Sequence, residues 1–255
     1  MHIVVLLKAV PIVGNERLDD GYRTQRTQLE ANGNDEYVLE KALKLTEAGG
    51  DVSLLTMGPA GATDALRKAL AMGATRAYHV QDDALAGACL RQTIDVLTAA
   101  VKKLEFDLLF CGADTSDGQG GVVAPALAAR LGLPYLSYAS EIEPGEGTVR
   151  VHRLSPTGYD VLEASTPALV MGTQVLGEPR YPSLRGIMQA RSKEVTTWSL
   201  ADLGIDPATV GEATVTTRVL GKEAPPQRSG ATILKGAPEE VVAQTVDFLA
   251  QRRLI

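Results

Sequence analysis

Aromatic residues are scarce in this chain. Phe, Trp and Tyr make up 4 % of its 255 residues, so a folded core must be built mainly from Val, Leu, Ala and Ile. Cysteine is scarcer still, and Cys89 and Cys111 lie far apart without metal-ligand spacing. We interpret both as buried free thiols, which fits a reducing, cytoplasmic compartment.

Other features that the sequence lacks exclude whole classes of function. The formal net charge is −6, which argues against nucleic acid as the main partner because phosphate backbones are bound by basic faces. No apolar stretch reaches the roughly 20 residues that span a bilayer, so we expect no direct membrane insertion. The histidines His2, His79 and His152 show no metal-ligand or acid–base spacing, and neither G-x-S-x-G nor H-E-x-x-H occurs. These absences favour a binding or carrier role over catalysis.

The first half of the chain alternates between strand and helix patterns. Residues 3–10 (IVVLLKAV) form a nearly continuous apolar run, which is typical of a strand buried on both faces of a parallel sheet. Further strands are predicted at 52–57, 77–80 and 107–111, and helices at 36–48, 63–72, 90–104 and 118–131. This order predicts an α/β fold with a doubly wound, mostly parallel sheet of the Rossmann-like type that binds adenine nucleotides.

The second half of the chain changes character. Strand-like runs at 136–143, 148–154, 160–164 and 168–172 are separated by turn signals and predict hairpin strands added at one edge of the sheet. Residues 176–193 form a polar, proline-punctuated loop with a short helix near Ile187. Beyond Trp198 the core pattern thins, through a proline-containing run at 224–228, until a final helix at 238–251. Such an extended C-terminal arm is usually disordered or lies on a partner.

Residues 112–125, GADTSDGQGGVVAP, are the most informative for function. They follow a predicted buried strand and open a helix at the carboxyl edge of the sheet, where open α/β folds bind ligands. The glycines let a ligand approach the backbone, and the helix N-terminus favours an anion. Neither a P-loop motif nor G-x-G-x-x-G occurs, and a glycine-rich turn without a ligand is the alternative interpretation.

Residues 32–35 (NGND) come just before the first predicted helix. Asn and Asp are common helix caps, which is a purely structural role. In a doubly wound sheet, however, this loop and the loop after Met57 emerge on the same edge as Gly118. We therefore expect loops from the first, second and fourth strand units to converge on one pocket.

Five stretches of the sequence resemble the electron transfer flavoprotein beta family along nearly the whole chain. They are VVLLKAVP, NDEYVLEKALKL, MGPAGATDALRKALAMGATRAYHV, GADTSDGQGGVVAPALAARLGLP and GEPRYPSLRGIMQARSKEV. The last stretch is similar, without gaps, to the family signature N-E-P-R-Y-x-x-L-x-x-I-M-x-A-K-K-K and is the most specific. The chain departs from the family pattern at Asn32-Gly33, where Asn-Pro is common, and at Arg191-Ser192-Lys193, where the Lys-rich run is thinned.

The resemblance implies an electron carrier built as a heterodimer with a larger alpha subunit. One FAD is held mainly by alpha, and an AMP with a structural role is bound within this chain. By positional match, the implied cofactor-binding residues are Leu6, Lys8, Ala9, Asn32, Asn34, Asp35, Met57, Asp117, Gly118, Gly120, Gly121, Val122 and Val123.

The resemblance also implies a recognition segment, residues 177–193, which grips dehydrogenases such as acyl-CoA dehydrogenases through a lone apolar tip, the anchor Leu184. The implied recognition residues are Glu178, Pro179, Arg180, Tyr181, Leu184, Ile187 and Met188. Local packing of Pro179, Pro182 and Leu184 is the alternative. Asp160 falls where the family often has an acidic residue that interacts with alpha. Residues 1–193 would then form the nucleotide-binding domain, and 194–255 an arm and helix that pack on alpha.

Two other functions stay open at this point. In an electron-bifurcating complex, a second FAD would replace AMP, and the number of flavins per heterodimer separates this case from the simple carrier. A stand-alone adenine-nucleotide-binding module is the other alternative, although such a protein would need neither the recognition segment nor the arm.

Overall fold

The computed structural model describes residues 1–14, 16–223, 226 and 230–255 of the chain. They divide into two compact units, Met1–Val219 and Leu220–Ile255. The strands are β1 (His2–Leu6), β2 (Ala9–Pro11), β3 (Leu29–Ala31), β4 (Asp51–Met57), β5 (Arg76–Val80), β6 (Leu108–Gly112), β7 (Tyr135–Pro144), β8 (Thr148–Ser155), β9 (Gly158–Ser165), β10 (Ala168–Gly172) and β11 (Val195–Trp198). The α-helices are α1 (Gly33–Thr46), α2 (Ala62–Met72), α3 (Leu90–Val101), α4 (Val123–Leu131), α5 (Leu184–Ala190) and α6 (Pro238–Gln251).

A nine-stranded sheet organises the first unit, in the order β11-β5-β4-β1-β6-β10-β7-β8-β9. The strands from β11 to β7 run parallel, and β8 and β9 extend the sheet in antiparallel pairs. Successive residues of a strand point to opposite faces, so Ile3 packs with α1 and α2 on one side and Val4 packs with α3 and α4 on the other. These helix layers on both faces confirm the predicted doubly wound α/β fold.

The apolar run at 3–10 is not one strand, contrary to the sequence-based expectation. The parallel strand β1 ends at Leu6, and the backbone N–H of Lys8 donates to Oδ2 of Asp35 over 2.8 Å. The chain then enters β2, which pairs with β3 in a separate antiparallel ribbon. The apolar pattern continues through this break because both strands bury their side chains, so it could not reveal the change of partner.

The expectation that residues 168–172 form a hairpin strand at the edge of the sheet is also wrong. β10 lies inside the sheet, parallel to both β6 and β7, and all five of its residues are buried. Only the pairs β7–β8 and β8–β9 are antiparallel. Complete burial explains the unbroken apolar sequence ALVMG, because a central strand needs no polar face.

Two segment ends differ from the expected ones. The helix predicted from residue 118 begins at Val123, because Gln119 and Gly121 adopt φ values of 45° and 60° that a right-handed helix does not allow. The expected domain boundary after residue 193 falls inside the first unit, since β11 pairs with β5 and both Leu200 and Val210 are buried.

Cys111 is buried as expected, but Cys89 is only half-buried, since it stands at the start of α3. In the second unit, α6 exposes Val242 and Val246 along one side. The run at 224–228 lies, apart from Pro226, outside the described residues.

Candidate functional site

The candidate site lies at the point where the order of the parallel strands reverses. From β1 the chain moves outward through β4 and β5 and then returns to β6, on the other side of β1. Crevices at such switch points, beyond the carboxyl ends of the strands, are where open α/β sheets bind ligands. The segment after β1, the start of α1 and the segment after β6 meet at this edge.

The start of α1 is hydrogen-bonded to the segment after β6. Asn32 occupies the N-cap position, yet its side chain does not cap the helix. Its Nδ2 donates to the carbonyl oxygen of Asp114 over 2.9 Å, and its Oδ1 accepts from the N–H of Ser116 over 3.2 Å. Asn34 Nδ2 donates to Oδ1 of Asp114 over 2.6 Å. The asparagines therefore connect two loops, and the simple helix-cap interpretation of Asn32 does not hold.

Asp35 is a buried carboxylate that joins the two central strand ends. Its oxygens accept from the N–H of Lys8 at 2.8 Å and from the N–H of Gly112 at 3.0 Å. Burial raises the pKa of Asp35 to about 7, against the opposing effect of these amide hydrogen bonds. Gly112 is required here, because a Cβ at this position would lie 2.5 Å from Oδ1 of Asp35 and 2.7 Å from Cβ of Asn34.

Asp117 is held between two cations. Lys8 Nζ lies 2.7 Å from its Oδ1 and Arg26 Nη2 lies 2.9 Å from its Oδ2, and the Asp117 side chain is only 2 % exposed. Burial raises the pKa of this carboxyl, but hydrogen bonds and charge from Lys8, together with Thr115 and Arg26, outweigh the burial, so its pKa lies below the usual value. In this cluster of three groups two positive charges face one negative charge beside the glycine-rich segment, and the carboxyls of Asp35 and Asp114 lie at the same edge.

The backbone of residues 118–123 is suited to bind an anion. No side chain caps α4, and none of the described residues accepts a hydrogen bond from the backbone amides of 120–123. A Cβ at Gly120 would meet nothing within 4 Å, and Gly121 adopts φ +60°, which suits glycine. Free amides at the N-terminus of a helix, beside a cluster with two cations, are the features that bind phosphate groups.

Most of the expected cofactor-binding residues meet at this edge. Lys8 is hydrogen-bonded to both Asp35 and Asp117, and the side chains of Asn32 and Asn34 both donate to Asp114. Gly118, Gly120, Gly121, Val122 and Val123 follow Asp117 in the chain and lead into α4. Leu6 ends β1, and Ala9 begins β2. Met57 ends β4, the neighbour of β1, and packs against the core on the α3 and α4 side.

Sequence reasoning missed Arg26 and Asp114. Arg26 lies in the irregular excursion between β2 and β3, and besides binding Asp117 it donates to the carbonyl oxygen of Ala9 over 3.0 Å. No motif surrounds Arg26. It reaches the site only because the irregular loop between β2 and β3 folds back against β2. Asp114 was within the singled-out segment, but its pairing with Asn34 depends on the tertiary fold.

The recognition segment, residues 177–193, is fastened to α1 by Arg180. Its guanidinium donates to both carboxylate oxygens of Glu40, over 2.7 Å to Oε2 and 3.0 Å to Oε1, and to Glu47 over 2.9 Å. The Glu40 side chain is 3 % exposed. Hydrogen bonds from Glu40 and Glu47 raise the pKa of Arg180 further above its usual value, so the guanidinium stays charged. We call this contact the Arg180 clamp.

The other end of the segment is fastened to α2. Arg67 Nη1 donates to the carbonyl oxygens of Ala190 and Lys193, and Lys193 Nζ donates to the carbonyl oxygen of Leu70, in the last turn of α2, and to that of Ala74, just after the helix. Gly186 packs directly on the carbonyl oxygen of Ala71, a position that a Cβ could not share. Both ends of α5 are thus fixed to the framework.

Between these two fastenings the segment presents apolar groups to solvent. The side chain of Leu184 is 82 % exposed, as expected for an anchor. It is not a lone apolar tip, however, because Tyr181 is 96 % and Met188 is 72 % exposed, and Ile187 is also exposed. Pro179 and Pro182 are half-buried, and Glu178 is exposed.

Asp160 lies on β9, the edge strand of the sheet. Its exposed carboxylate accepts from Nη2 of Arg153 over 2.6 Å. Asp160 is thus exposed at the edge of the sheet, although its carboxylate already pairs with Arg153 of the same chain.

Comparison with known proteins agrees with this architecture. A family model described as "Electron transfer flavoprotein domain" matches residues 21–203. The Electron transfer flavoprotein subunit beta of Thermoanaerobacterium thermosaccharolyticum is 35 % identical over 260 residues, which cover both chains completely. The chain belongs to the electron transfer flavoprotein beta subunit family. The subunit of the same name from Mycobacterium leprae is 39 % identical over 86 % of each chain. The Caffeyl-CoA reductase-Etf complex subunit CarD of Acetobacterium woodii is 33 % identical over both full lengths.

Family membership supports an electron transfer role with flavin association, and the beta subunits of this family form complexes with alpha subunits and dehydrogenases. Among the described residues, no helix has the length and apolar character to span a membrane.

Proposed function

We propose that this chain is the beta subunit of a heterodimeric electron carrier. The heterodimer accepts electrons from dehydrogenases, for example acyl-CoA dehydrogenases, and passes them through FAD, held mainly by the alpha subunit, to a downstream oxidoreductase. The observation that carries this proposal is the recognition segment, in which exposed Tyr181, Leu184 and Met188 stand on a base fixed by Arg180 and Lys193. A solvent-exposed apolar tip held in a fixed position is a feature of protein recognition, since core packing does not require it.

The nucleotide part of the proposal is an AMP at the edge beyond β1 and β6. The glycine-rich backbone of 120–123 would hold the phosphate through its free amides, with the charge of Lys8 and Arg26 close by. The asparagines and Asp35 hold the two loops in place around the ligand. AMP has no redox chemistry, so its contribution is the stabilisation of the native chain by binding to it.

A second candidate function is favoured by one relative. A protein similar over its full length is named as a subunit of a caffeyl-CoA reductase–Etf complex, which places an electron transfer flavoprotein within a larger reductase assembly. In an electron-bifurcating version of this chain, the same edge would hold the adenylate part of a second FAD. The free amides and the two cations would serve either ligand.

The test is to produce the chain together with its alpha subunit, purify the heterodimer, denature it, and quantify the released FAD and AMP. One FAD and one AMP per heterodimer support the simple carrier. Two FAD and no AMP would establish the bifurcating complex. Failure to form a flavin-containing heterodimer would overturn the proposal.

A matched pair of variants locates the AMP within the chain. Gly121 and Gly132 adopt similar left-handed conformations, with φ +60° and +67°, and neither has a protein atom closer than 3.7 Å to the position of a Cβ. Gly121→Ala and Gly132→Ala therefore carry similar backbone strain, of roughly 1 kcal/mol. Only the first places a methyl group in the anion-binding segment, so we expect AMP loss from the Gly121 variant alone, with FAD retained in both.

A further inference from the structure

Three side chains with metal-binding atoms meet on the outward face of the antiparallel extension of the sheet. Glu141 and Glu143 stand two residues apart on β7 and are both exposed, whereas Ile142 between them is buried in the core. His152 of β8 is the register partner of Glu141, and its Nδ1 lies 3.2 Å from Oε2 of Glu141. One ligand atom from each of the three residues lies within 4.8 Å of the other two. We call these three residues the β7–β8 cluster.

A β-bulge in β7 creates this arrangement. Ala139 pairs with Arg153, and Glu141 pairs with His152, so two steps along β7 correspond to one step along β8. Regular alternation would place residue 141 on the same face as Ala139, which is buried, but the extra residue Ser140 turns Glu141 outward. Because the bulge sets the register and the third ligand lies on the neighbouring strand, the linear spacing of the histidines does not indicate this cluster.

The imidazole of His152 is held in one orientation. Its ring stacks on the ring of Tyr159 of β9, with the centroids 4.9 Å apart and the planes 7° from parallel. The side chain of His152 is 26 % exposed, against 62 % for Glu141, so the ring lies at the base of the cluster. A ligand that is already ordered loses little conformational freedom when a metal binds, which favours binding.

The charge of this face suits a divalent cation. Within the described part of the chain, the sole ion pair of Glu141 is with His152. Arg150 Nη1 lies 4.0 Å from Glu143, but this guanidinium is held by Glu163 through hydrogen bonds of 3.1 and 2.8 Å. Three carboxylates thus stand against one guanidinium, which leaves two negative charges when the imidazole is neutral. A divalent metal ion would balance that charge.

We propose that Glu141, Glu143 and His152 bind a zinc ion, which links β7 to β8. Zinc takes imidazole nitrogen and carboxylate oxygen at about 2.0–2.2 Å, and three protein ligands leave its fourth position to water. Two ligands of a tetrahedral zinc ion lie roughly 3.4 Å apart, a separation that Nδ1 and Oε2 at 3.2 Å already have. The exposed side chain of Glu143 completes the set by rotation about its own bonds. Calcium and magnesium fit less well, because they use oxygen ligands in larger number.

The first test measures zinc uptake by the flavin-loaded heterodimer. After EDTA treatment and removal of the chelator, each protein is dialysed to equilibrium against graded ZnCl2, and bound zinc is quantified by mass spectrometry. His152→Gln, Glu141→Gln and Glu143→Gln should each raise the Kd of this site at least tenfold, with FAD content unchanged. Glu146→Gln removes the same charge from an exposed position in the turn between β7 and β8, and this matched control should bind zinc like the wild type.

The second test measures the effect of zinc on the two strands. At free zinc about a hundredfold above Kd, openings that separate the ligands should become about a hundredfold rarer. Hydrogen exchange in peptides covering residues 138–155 of the wild type should therefore slow on addition of zinc, while exchange in β4 stays the same. The same addition should have no effect on these peptides in His152→Gln.

Three results would overturn the inference. They are no zinc uptake by the wild type, equal uptake by the wild type and all three ligand variants, and exchange of residues 138–155 that ignores bound zinc. The site goes beyond the proposed function and does not depend on it. Its failure would leave the released FAD and AMP, and the electron uptake from a dehydrogenase, as separate measurements of that function.

Discussion

Removal of the Arg180 clamp should release the recognition segment from α1 without unfolding the chain. In Arg180→Met, the carboxylate of Glu40 loses two side-chain hydrogen bonds, from Nε and Nη2 of Arg180, while Glu47 loses one. The backbone N–H of residue 180, which donates to Oε2 of Glu40 over 3.1 Å, is still present in the variant. A nearly buried carboxylate is left with Lys44 as its remaining cation, at 3.5 Å.

The magnitude follows from this geometry. Breaking a fully buried ion pair by removing one partner costs about 3–5 kcal/mol. Glu40 is nearly buried but Arg180 is 37 % exposed, and Lys44 partly compensates, so we expect about 2 kcal/mol. Opening of the segment should then become roughly 30-fold more frequent, because every 1.4 kcal/mol is a factor of ten.

Native-state hydrogen exchange of the heterodimer, resolved by mass spectrometry, measures this opening directly. Peptides covering residues 178–190 should exchange roughly 30-fold faster in Arg180→Met, while peptides from β1 and β4 remain unchanged. The double variant Arg180→Met/Glu40→Met also removes the unpaired buried charge of Glu40, so it should recover part of the lost protection of residues 178–190. Burial raises the pKa of Glu40, but its hydrogen bonds to Arg180 lower it more, below the usual 4.5. The clamp should therefore contribute fully above pH 4.5 and weaken as the pH falls below it. Unchanged exchange at 178–190 in Arg180→Met would refute this reasoning.

Three further predictions concern the tip and the nucleotide edge. Leu184→Ala should raise the KM for the dehydrogenase by roughly 30-fold, since a buried anchor contributes about 2 kcal/mol, and FAD content should stay the same; loss of FAD would contradict the anchor role. Gly112→Ala should lower the melting temperature and the AMP content because its Cβ would collide with Asp35 and Asn34, whereas Gly221→Ala, in the second unit and with nothing within 4 Å of the new methyl, should melt like the wild type; equal melting of both would contradict the close packing. The raised pKa of Asp35, about 7 against 3.8, means that the native state binds more protons than the unfolded state between these values, so stability should fall as pH rises from about 4 to 7. Asp35→Asn should flatten this part of the pH profile of thermal unfolding while lowering stability overall, and an unchanged slope would show that another group is responsible.

The fold was largely predictable from the sequence because each buried strand leaves an unbroken apolar run. The same property produced the errors. Residues 3–10 remain apolar through a change from one sheet to another, and residues 168–172 are apolar because β10 is central, which the pattern alone does not distinguish from a strand of a hairpin. Pairing partners depend on contacts distant in sequence, and apolar periodicity carries no information about them.

The candidate site was predictable only where a local sequence feature marks it. The glycines of 118–121 and the polar residues of 32–35 can be recognised from their composition and from their place at the ends of predicted strands and helices. Arg26 lies 91 positions from Asp117 in an excursion without periodic pattern, so nothing in its surroundings indicates its partner. Similarly, Arg180 is part of a recognisable signature, but its contact with Glu40 within the chain could not be predicted from that signature.

Helix α1 contacts both functional regions, which raises the question of whether they act on each other. Its start is bonded to the segment after β6 through Asn32 and Asp35, and its middle is bonded to the recognition segment through Glu40. Between these points α1 is fixed in the core, with Val38, Leu39, Ala42 and Leu43 all buried. Interiors packed in this way resist small displacements, so loss of a nucleotide should loosen the first turn of α1 without moving Glu40. The helix therefore isolates the two regions from each other, which suits the proposed function, in which the nucleotide is structural and the tip keeps one geometry for docking.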